Sequence, residues 1–173
     1  MKALFIGDSI TEGFDLEKFF PGKGYVNHGI SGYSSEELLD AMHKGWFASA
    51  PEMVFLCIGT NDLARDYDEA DTLDTIRRLL VKIREHAPDN SMIYLTSLFP
   101  ARHNPPRPNP VIRQLNSRLH ELAVQENAAY LHLHPFFTDE NGQLKREFTD
   151  DGLHLNEHSY AVWAELVKQL INF

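Results

Sequence analysis

The sequence predicts an α/β protein built on a parallel sheet of five strands. Short apolar runs alternate with segments of helical periodicity along the chain, which is the pattern of βα units on a parallel sheet. The 173 residues are enough for one domain with a substantial core. The fractions of hydrophobic (43%) and charged (24%) residues are typical of a soluble globular protein. We therefore expect residues 1–173 to form a single domain.

Five segments are predicted to be strands, and four of them are rich in Val, Ile, Leu, Phe or Met. The second is the least apolar and is expected at an edge of the sheet. In chain order the candidates are Lys2–Ile6, Tyr25–His28, Met53–Ile58, Met92–Ser97 and Ala129–His132.

Four longer helices are predicted from caps and from apolar residues at helical spacing. Ser34 and Glu37 have the spacing of a capping box, Asn156 can cap the last helix, and the helix before Pro88 should end there. The inward-facing residues are Leu38, Leu39 and Met42; Leu73, Ile76, Leu80 and Ile83; Ile112, Leu115, Leu119 and Leu122; and Tyr160, Trp163, Val167 and Leu170. We interpret these residues as core and assign them no chemistry.

Charge and hydropathy limit the classes of partner. The net charge of −9 argues against binding to nucleic acid or an anionic membrane surface, because both require a basic patch. No apolar run approaches the roughly 20 residues that span a bilayer, and no signal peptide is recognisable. We expect a cytoplasmic protein, monomeric or homodimeric, that acts on a small molecule. The one cysteine, Cys57, is expected to be a buried small hydrophobe.

The first candidate for chemistry is Ser9. The apolar run Leu4–Ile6 stops at Gly7-Asp8-Ser9, and the carboxyl ends of strands are where open α/β sheets bind ligands. A Gly-Asp-Ser sequence is also common in turns, so this stretch alone does not decide between a nucleophile and a turn. Asp8 is interpreted as a residue that fixes the loop by accepting hydrogen bonds from backbone N–H groups.

Two further loops should reach the same edge of the sheet. Asn61 follows the third strand and carries an amide donor that never ionises, which suits an oxyanion; an Asx turn or a helix cap is the alternative. After the second strand, Gly29 and Gly32 permit close backbone approach before a helix. The Gly32 N–H is a candidate second donor, and a tight turn is again the alternative.

A serine nucleophile needs a base and a carboxylate that orients the base. Asp151 and His154 are three residues apart with Gly152 between them, so a turn can bring their side chains together. Asp150 is the competing carboxylate. His132 and His134 share a strand face and could bind a metal, but a third ligand is not evident. We expect packing or surface roles for both histidines, and neither a metal nor a cofactor.

Four blocks of the sequence resemble those of the SGNH hydrolases, also called GDSL lipases and esterases. In the order that this family has them, the blocks are Gly7–Ile10, Gly29–Gly32, Gly59–Asp62 and Asp151–His154. The resemblance implies a flavodoxin-like three-layer α/β/α sandwich and ester hydrolysis without a metal. Ile10 stands where many members have Leu, and Leu155-Asn156 where many have Pro after the histidine. These departures affect only the assignment to a subfamily.

The resemblance also implies a role for each residue of the site. Ser9 would attack, His154 would be the base and Asp151 would orient it. The oxyanion donors would be the Ser9 N–H, the Gly32 N–H and the Asn61 side chain.

The substrate is least determined by the sequence. The candidate substrate-binding residues are Asp8, Tyr33, Phe99, Arg102 and Leu153. Tyr33, Phe99 and Leu153 are chosen as hydrophobic residues next to the site in sequence. Residues 99–110 hold five of the nine prolines and form either a wall of the substrate pocket or a rigid connector. Arg102, His103 and Arg107 in this loop could receive a polar or anionic leaving group.

We expect short acyl esters, such as acetyl groups on a small molecule or carbohydrate, because no long apolar lid is visible. A lysophospholipase, a thioesterase and an acyltransferase on the same triad are the alternatives. A flavodoxin-like module that binds a phosphorylated ligand is disfavoured, because no Gly-Lys-Ser/Thr sequence occurs.

Overall fold

The computed structural model describes residues 1–171, and its centre is a five-stranded parallel sheet with the order β2-β1-β3-β4-β5. The strands are β1 (Ala3–Gly7), β2 (Val26–Gly29), β3 (Met53–Cys57), β4 (Met92–Thr96) and β5 (Ala129–Leu131). Each predicted strand is therefore present, with ends that differ by at most one residue. β2 lies at an edge, as its weak apolar pattern predicts.

The described residues form eight α-helices, of which the last two follow β5. They are α1 (Ser9–Glu12), α2 (Leu16–Phe19), α3 (Ser35–Ala41), α4 (Thr60–Ala64), α5 (Glu69–His86), α6 (Asn109–Gln125), α7 (His134–Phe137) and α8 (Glu157–Ile171). The capping box predicted at Ser34 and Glu37 opens α3 with both of its hydrogen bonds formed. The Asn156 side chain accepts from the Ser159 N–H in the first turn of α8.

The two faces of the sheet are covered by different helices. Side chains alternate along β1, so that Leu4 and Ile6 pack with α3, α5 and α6, whereas Ala3 and Phe5 pack with α8 and the short helices. On the second face the rings of Phe5 and Phe55 stack with centroids 4.5 Å apart. This arrangement confirms the predicted α/β/α sandwich. Cys57 lies in the same apolar layer, where burial raises the pKa of its thiol.

The register of the sheet places three loops side by side. Gly7 at the end of β1 pairs with Gly29 of β2 on one side and with Cys57 of β3 on the other. The segments that follow these strands therefore leave the sheet together, and they carry Ser9, Gly32 and Asn61. No helix within residues 1–171 is long and apolar enough to cross a bilayer.

Helix α8 is hydrogen-bonded to α1 and packs against the residue Phe14 that follows it. The Tyr160 hydroxyl on α8 donates to the Ile10 carbonyl on α1 over 2.7 Å, and Trp163 stacks on Phe14 with centroids 4.6 Å apart. These contacts bring the loop that precedes α8, which holds His154, to the same edge of the sheet.

Candidate active site

Ser9 is presented by a sharp turn from β1 into α1. A side chain at Gly7 would meet the Cys57 carbonyl and the Thr11 hydroxyl, so only glycine fits there. Asp8 caps α1, because its Oδ1 accepts from the Ile10 N–H at 3.0 Å. Ser9 is the first residue of the helix and is partly exposed. The turn therefore delivers one hydroxyl to the edge of the sheet.

A chain of two hydrogen bonds runs from Ser9 through His154 to Asp151. Ser9 Oγ lies 3.0 Å from His154 Nε2, and His154 Nδ1 lies 2.6 Å from Asp151 Oδ2. An ionised carboxylate can only accept, so His154 Nδ1–H donates to Asp151. Nε2 of the neutral ring is then free to accept the Ser9 hydroxyl proton. The sequence-predicted nucleophile, base and carboxylate are thus brought together.

Asp151 is held as an anion by its surroundings. Partial burial raises its pKa, but hydrogen bonds from the His154 ring and from the Leu153 and His154 N–H groups outweigh burial, and the pKa falls to about 2. The two N–H groups donate to Oδ1 at 2.9 and 2.8 Å. The charge is therefore present at neutral pH, where it can stabilise an imidazolium.

Gly152 gives the turn its shape. Its φ of +86° is in the left-handed region, and a Cβ there would meet the Arg102 carbonyl oxygen. The Arg102 N–H donates to the Gly152 carbonyl over 2.7 Å, and the Gly152 N–H donates to the Thr149 hydroxyl over 2.9 Å. Asp150, the competing carboxylate, is exposed and makes no hydrogen bond to His154 within the described chain.

Two backbone N–H groups and one amide are positioned as candidate oxyanion donors. Ser9 N–H, at the first position of α1, has no intrahelical partner, and among the hydrogen bonds of residues 1–171 neither it nor the Gly32 N–H has an acceptor. Gly32 has a φ of +80°, which favours glycine. Asn61 Nδ2 donates one hydrogen to the Tyr33 carbonyl at 2.9 Å. Its second hydrogen remains for a ligand.

The loop that carries Gly32 is braced by three side chains of α4 and its C-cap. Asn61 bonds Tyr33, and Arg65 Nη2 donates to the Gly32 carbonyl over 2.8 Å. Asp62 is buried and accepts from the backbone N–H and the hydroxyl of Ser35. Asp62 and Arg65 were not among the residues predicted from the sequence. The available signal was the position of Arg65, four residues after Asn61 and three after Asp62, because such spacings bring side chains together on a helix.

The side chain of Arg107 is hydrogen-bonded to the start of α4. Its Nη2 donates to Asn61 Oδ1 at 2.9 Å, and its Nε donates to both the carbonyl and the hydroxyl of Thr60 at 3.1 Å. Nη2 and Nε of Arg107 are thus bonded to α4, and a role for Arg107 in receiving a leaving group stays a prediction.

Asp8 lies beneath the serine and not in the substrate region. It is 1% exposed, and burial raises its pKa to about 7 despite the hydrogen bond from Ile10. A substrate cannot reach this carboxyl, so the prediction that Asp8 binds substrate is wrong. Its hydrogen bond to a backbone N–H agrees with the predicted loop-fixing role.

Two more substrate-binding candidates do not face the site. Phe99 is 4% exposed and packs edge-on against Phe137 and Trp163 in the core. Arg102 is committed to an ion pair with Asp139 at 2.8 Å. Phe99 was chosen for closeness in sequence and Arg102 for its place in the Pro-rich loop, and neither criterion fixes the direction of a side chain. Tyr33 and Leu153 are half-buried on the loops that carry Gly32 and His154, and they stay candidates.

The histidine pair after β5 forms no metal cluster with its neighbours. Within residues 1–171, no three His, Cys, Asp or Glu side chains come close enough to hold an ion. His134 is buried with Nδ1 3.0 Å from the Leu98 carbonyl, and burial lowers its pKa. His132 is exposed and packs against the Tyr130 ring.

Comparison with known proteins adds independent findings. The model of the GDSL-like lipase/acylhydrolase family matches residues 5–162. N-acylneuraminate cytidylyltransferase of Escherichia coli O18:K1:H7 is 30% identical over 168 residues, which are 96% of this chain but 39% of that protein. The chain thus spans about two fifths of the length of this relative.

Two solved structures are similar over nearly the whole chain. A Streptococcus pneumoniae protein described as a platelet activating factor superposes with a TM-score of 0.89 at 30% identity, covering 98% of this chain and 83% of its own. A GDSL-like lipase from Bacteroides thetaiotaomicron gives a TM-score of 0.85 at 28% identity, covering 99% and 87% respectively.

Proposed function

Because the chain belongs to the GDSL-like lipase/acylhydrolase family, we propose that Ser9, His154 and Asp151 are the catalytic triad with which it hydrolyses short acyl esters. The chain is a carboxylic ester hydrolase by family. The observation that carries the triad assignment is the pair of contacts of 3.0 and 2.6 Å that link the three side chains. In this order a hydroxyl, an imidazole and a carboxylate form an activated nucleophile.

The proposed reaction has two acyl-transfer steps. Ser9 Oγ attacks the ester carbonyl carbon while His154 Nε2 takes the hydroxyl proton, and Asp151 stabilises the resulting imidazolium. The C–O bond to the alcohol breaks, and the alcohol leaves with the proton from Nε2. Water then attacks the acyl-serine with His154 again acting as base, which releases the carboxylic acid and restores the serine.

The charge that develops on the carbonyl oxygen requires fixed donors. The Ser9 N–H, the Gly32 N–H and the second Asn61 N–H are the proposed oxyanion hole. Each preorganised donor of this kind typically lowers the barrier by about 3 kcal/mol. The braces from Asn61, Asp62 and Arg65 to the Gly32 loop support this assignment, because donors that are already fixed need no reorganisation when the charge appears.

A short acyl group on a small molecule or carbohydrate is the proposed substrate class. Ser9 is only partly buried and the His154 side chain is 49% exposed, so the reacting atoms lie at an open surface where a long acyl chain would gain little burial. The E. coli relative is named for an N-acylneuraminate, which supports a carbohydrate as the part of the substrate that carries the ester. The open surface also leaves room for an alcohol acceptor in place of water.

The test is hydrolysis of p-nitrophenyl esters from two to sixteen carbons by the wild type and by Ser9→Ala. We expect the highest kcat/KM at two to four carbons and no turnover above background for Ser9→Ala. Ser117→Ala is the matched control, because Ser117 is exposed on α6. A fluorophosphonate should label Ser9 alone. Retained activity in Ser9→Ala would refute the mechanism, and a maximum at long chains would shift the assignment to a lysophospholipase or thioesterase.

A further inference from the structure

The Pro-rich loop places one guanidinium directly behind Asn61, and we propose that Arg107 is a positioning residue that orients and polarises the Asn61 amide as an oxyanion donor. This inference rests on the proposed function, since it requires Asn61 to act on the oxyanion. It gives residues 99–110 a role that neither a pocket wall nor a plain connector describes.

Two nitrogens of the Arg107 side chain donate hydrogen bonds to the start of α4. Nη2 donates to Asn61 Oδ1 at 2.9 Å, while Nε donates to the Thr60 carbonyl and hydroxyl, each at 3.1 Å. The remaining nitrogen, Nη1, lies 3.4 Å from Asn104 Oδ1. The planar fork of the guanidinium thus fixes both its own orientation and that of Asn61, which a single point charge would not do.

These contacts allow only one orientation of the Asn61 amide. The carbonyl end meets the Arg107 donor, and the NH₂ end meets the Tyr33 carbonyl at 2.9 Å. A flipped amide would set NH₂ against a guanidinium and an oxygen against a carbonyl oxygen, losing both hydrogen bonds and adding repulsion. The second Nδ2 hydrogen is therefore held in a fixed direction before substrate binds.

The positive charge also strengthens that hydrogen as a donor. A cation at the amide oxygen draws electron density from the nitrogen, so the N–H bears more positive charge. Arg107 is half-buried, which limits screening by water. Burial lowers the pKa of Arg107, and the charge of the Asp8 carboxyl opposes that shift, so the guanidinium is partly removed from solvent.

The loop itself is built to hold Arg107 in place. Pro105, Pro106 and Pro108 flank the arginine and restrict the backbone. The Asn109 side chain closes the loop, because its amide donates to the Ala101 carbonyl at 2.7 Å and accepts from the Ala101 N–H at 2.9 Å. The backbone at Arg107 is thus restrained, and the hydrogen bonds of its side chain to Thr60 and Asn61 are already formed before substrate binds.

A double-mutant cycle tests the proposal with Arg107→Gln and Asn61→Ala on p-nitrophenyl acetate. Loss of one oxyanion donor lowers kcat by about 100- to 1,000-fold, so Asn61→Ala should fall in that range. Arg107→Gln alone should lower kcat by about 10- to 100-fold with KM changed by less than about 3-fold, because only transition-state binding is affected. In the Asn61→Ala background the same substitution should lower kcat by less than about 3-fold.

Arg107→Lys and Arg77→Gln complete the experiment. Lysine keeps the charge but not the planar fork of the guanidinium, so Arg107→Lys should recover part of the kcat lost in Arg107→Gln. Arg77 is an exposed arginine of α5, so Arg77→Gln changes the net charge equally and should leave kcat unchanged. In ¹⁵N spectra of the folded Arg107→Lys protein, the Asn61 side-chain amide pair should shift.

The outcomes separate the two levels of the argument. Full activity of Ser9→Ala refutes the proposed function, whereas full activity of Asn61→Ala refutes only the oxyanion role of Asn61 and with it the role of Arg107. If both lose activity, but Arg107→Gln lowers kcat equally in the two backgrounds or changes KM alone, only the role of Arg107 is refuted. If Arg107→Gln does not fold, an unshifted Asn61 amide pair in Arg107→Lys refutes it in the same way.

Discussion

Replacing Asp151 with Asn should lower the catalytic rate strongly and the stability little, because it changes only the side-chain atom that faces His154 Nδ1. The substitution keeps an Oδ1 that can accept from the Leu153 and His154 N–H groups, so the turn is preserved. At the other end it replaces an acceptor with an NH₂ donor facing His154 Nδ1. The ring then carries its proton on Nε2, which must donate to Ser9 Oγ and cannot accept the hydroxyl proton.

The two expected effects differ greatly in size. The wrong tautomer should lower kcat by about 1,000- to 10,000-fold, which corresponds to about 4 to 5.5 kcal/mol of barrier. The hydrogen bond that is lost joins side chains that are 49% and 55% exposed, so it contributes only about 0–1 kcal/mol to folding. A protein of this size should therefore lose no more than about 4 °C in Tm.

The assay is p-nitrophenyl acetate hydrolysis at neutral pH together with thermal unfolding of the same preparations. Asp150→Asn is the matched control, because this neighbouring carboxylate is exposed and its substitution should change kcat by less than about 2-fold. The reasoning is refuted if Asp151→Asn keeps more than a tenth of the wild-type kcat, or if Asp150→Asn loses as much activity as Asp151→Asn.

Three further predictions concern the supporting structure. Gly152→Ala combines a φ of +86° with a clash against the Arg102 carbonyl, so it should lower both activity and the free energy of unfolding, the latter by about 3 kcal/mol or more. Gly24 has a φ of +61° but lies in open space, so Gly24→Ala should cost only about 1 kcal/mol. Equal losses in the two variants would contradict the clash. Asp8→Asn should flatten the pH dependence of Tm between about pH 4 and 7. In the wild type, the folded state keeps the Asp8 proton up to a pKa of about 7, whereas the unfolded chain releases it near pH 4, so stability falls as pH rises through this window. An unchanged slope in the variant would contradict a titrating Asp8. Phe99→Ala should lower stability by about 3–5 kcal/mol with little change in the KM of the remaining folded enzyme, and a KM effect without destabilisation would return Phe99 to the substrate site.

The sequence predicted the sheet closely because its signals are local. Apolar runs stop at glycine or polar residues, and a parallel sheet brings the strand ends to one edge. That rule, with the four blocks, was enough to expect Ser9, Asn61 and His154 near one another. It also allowed Asp151 to be preferred to Asp150. The catalytic roles themselves stay predictions until the variants are measured.

What the sequence did not predict depends on the paths of loops. The contact between Arg107 and Asn61 joins residues 46 positions apart, and that between Arg65 and Gly32 spans 33. Neither follows from periodicity or from turn chemistry. Phe99 failed as a pocket residue for the same reason, because its distance from the site in sequence does not determine which layer its ring enters.

The fastening of α8 to α1 has a consequence for biosynthesis. Ser9 and His154 are 145 positions apart, and the Tyr160 hydroxyl that holds the Ile10 carbonyl comes six residues after the histidine. With His154 as the proposed base, a chain growing from its amino terminus carries its serine without that base until all five strands have been made. Onset of hydrolysis during synthesis would report the docking of α8, and the nascent chain would be inert toward cellular esters before that moment.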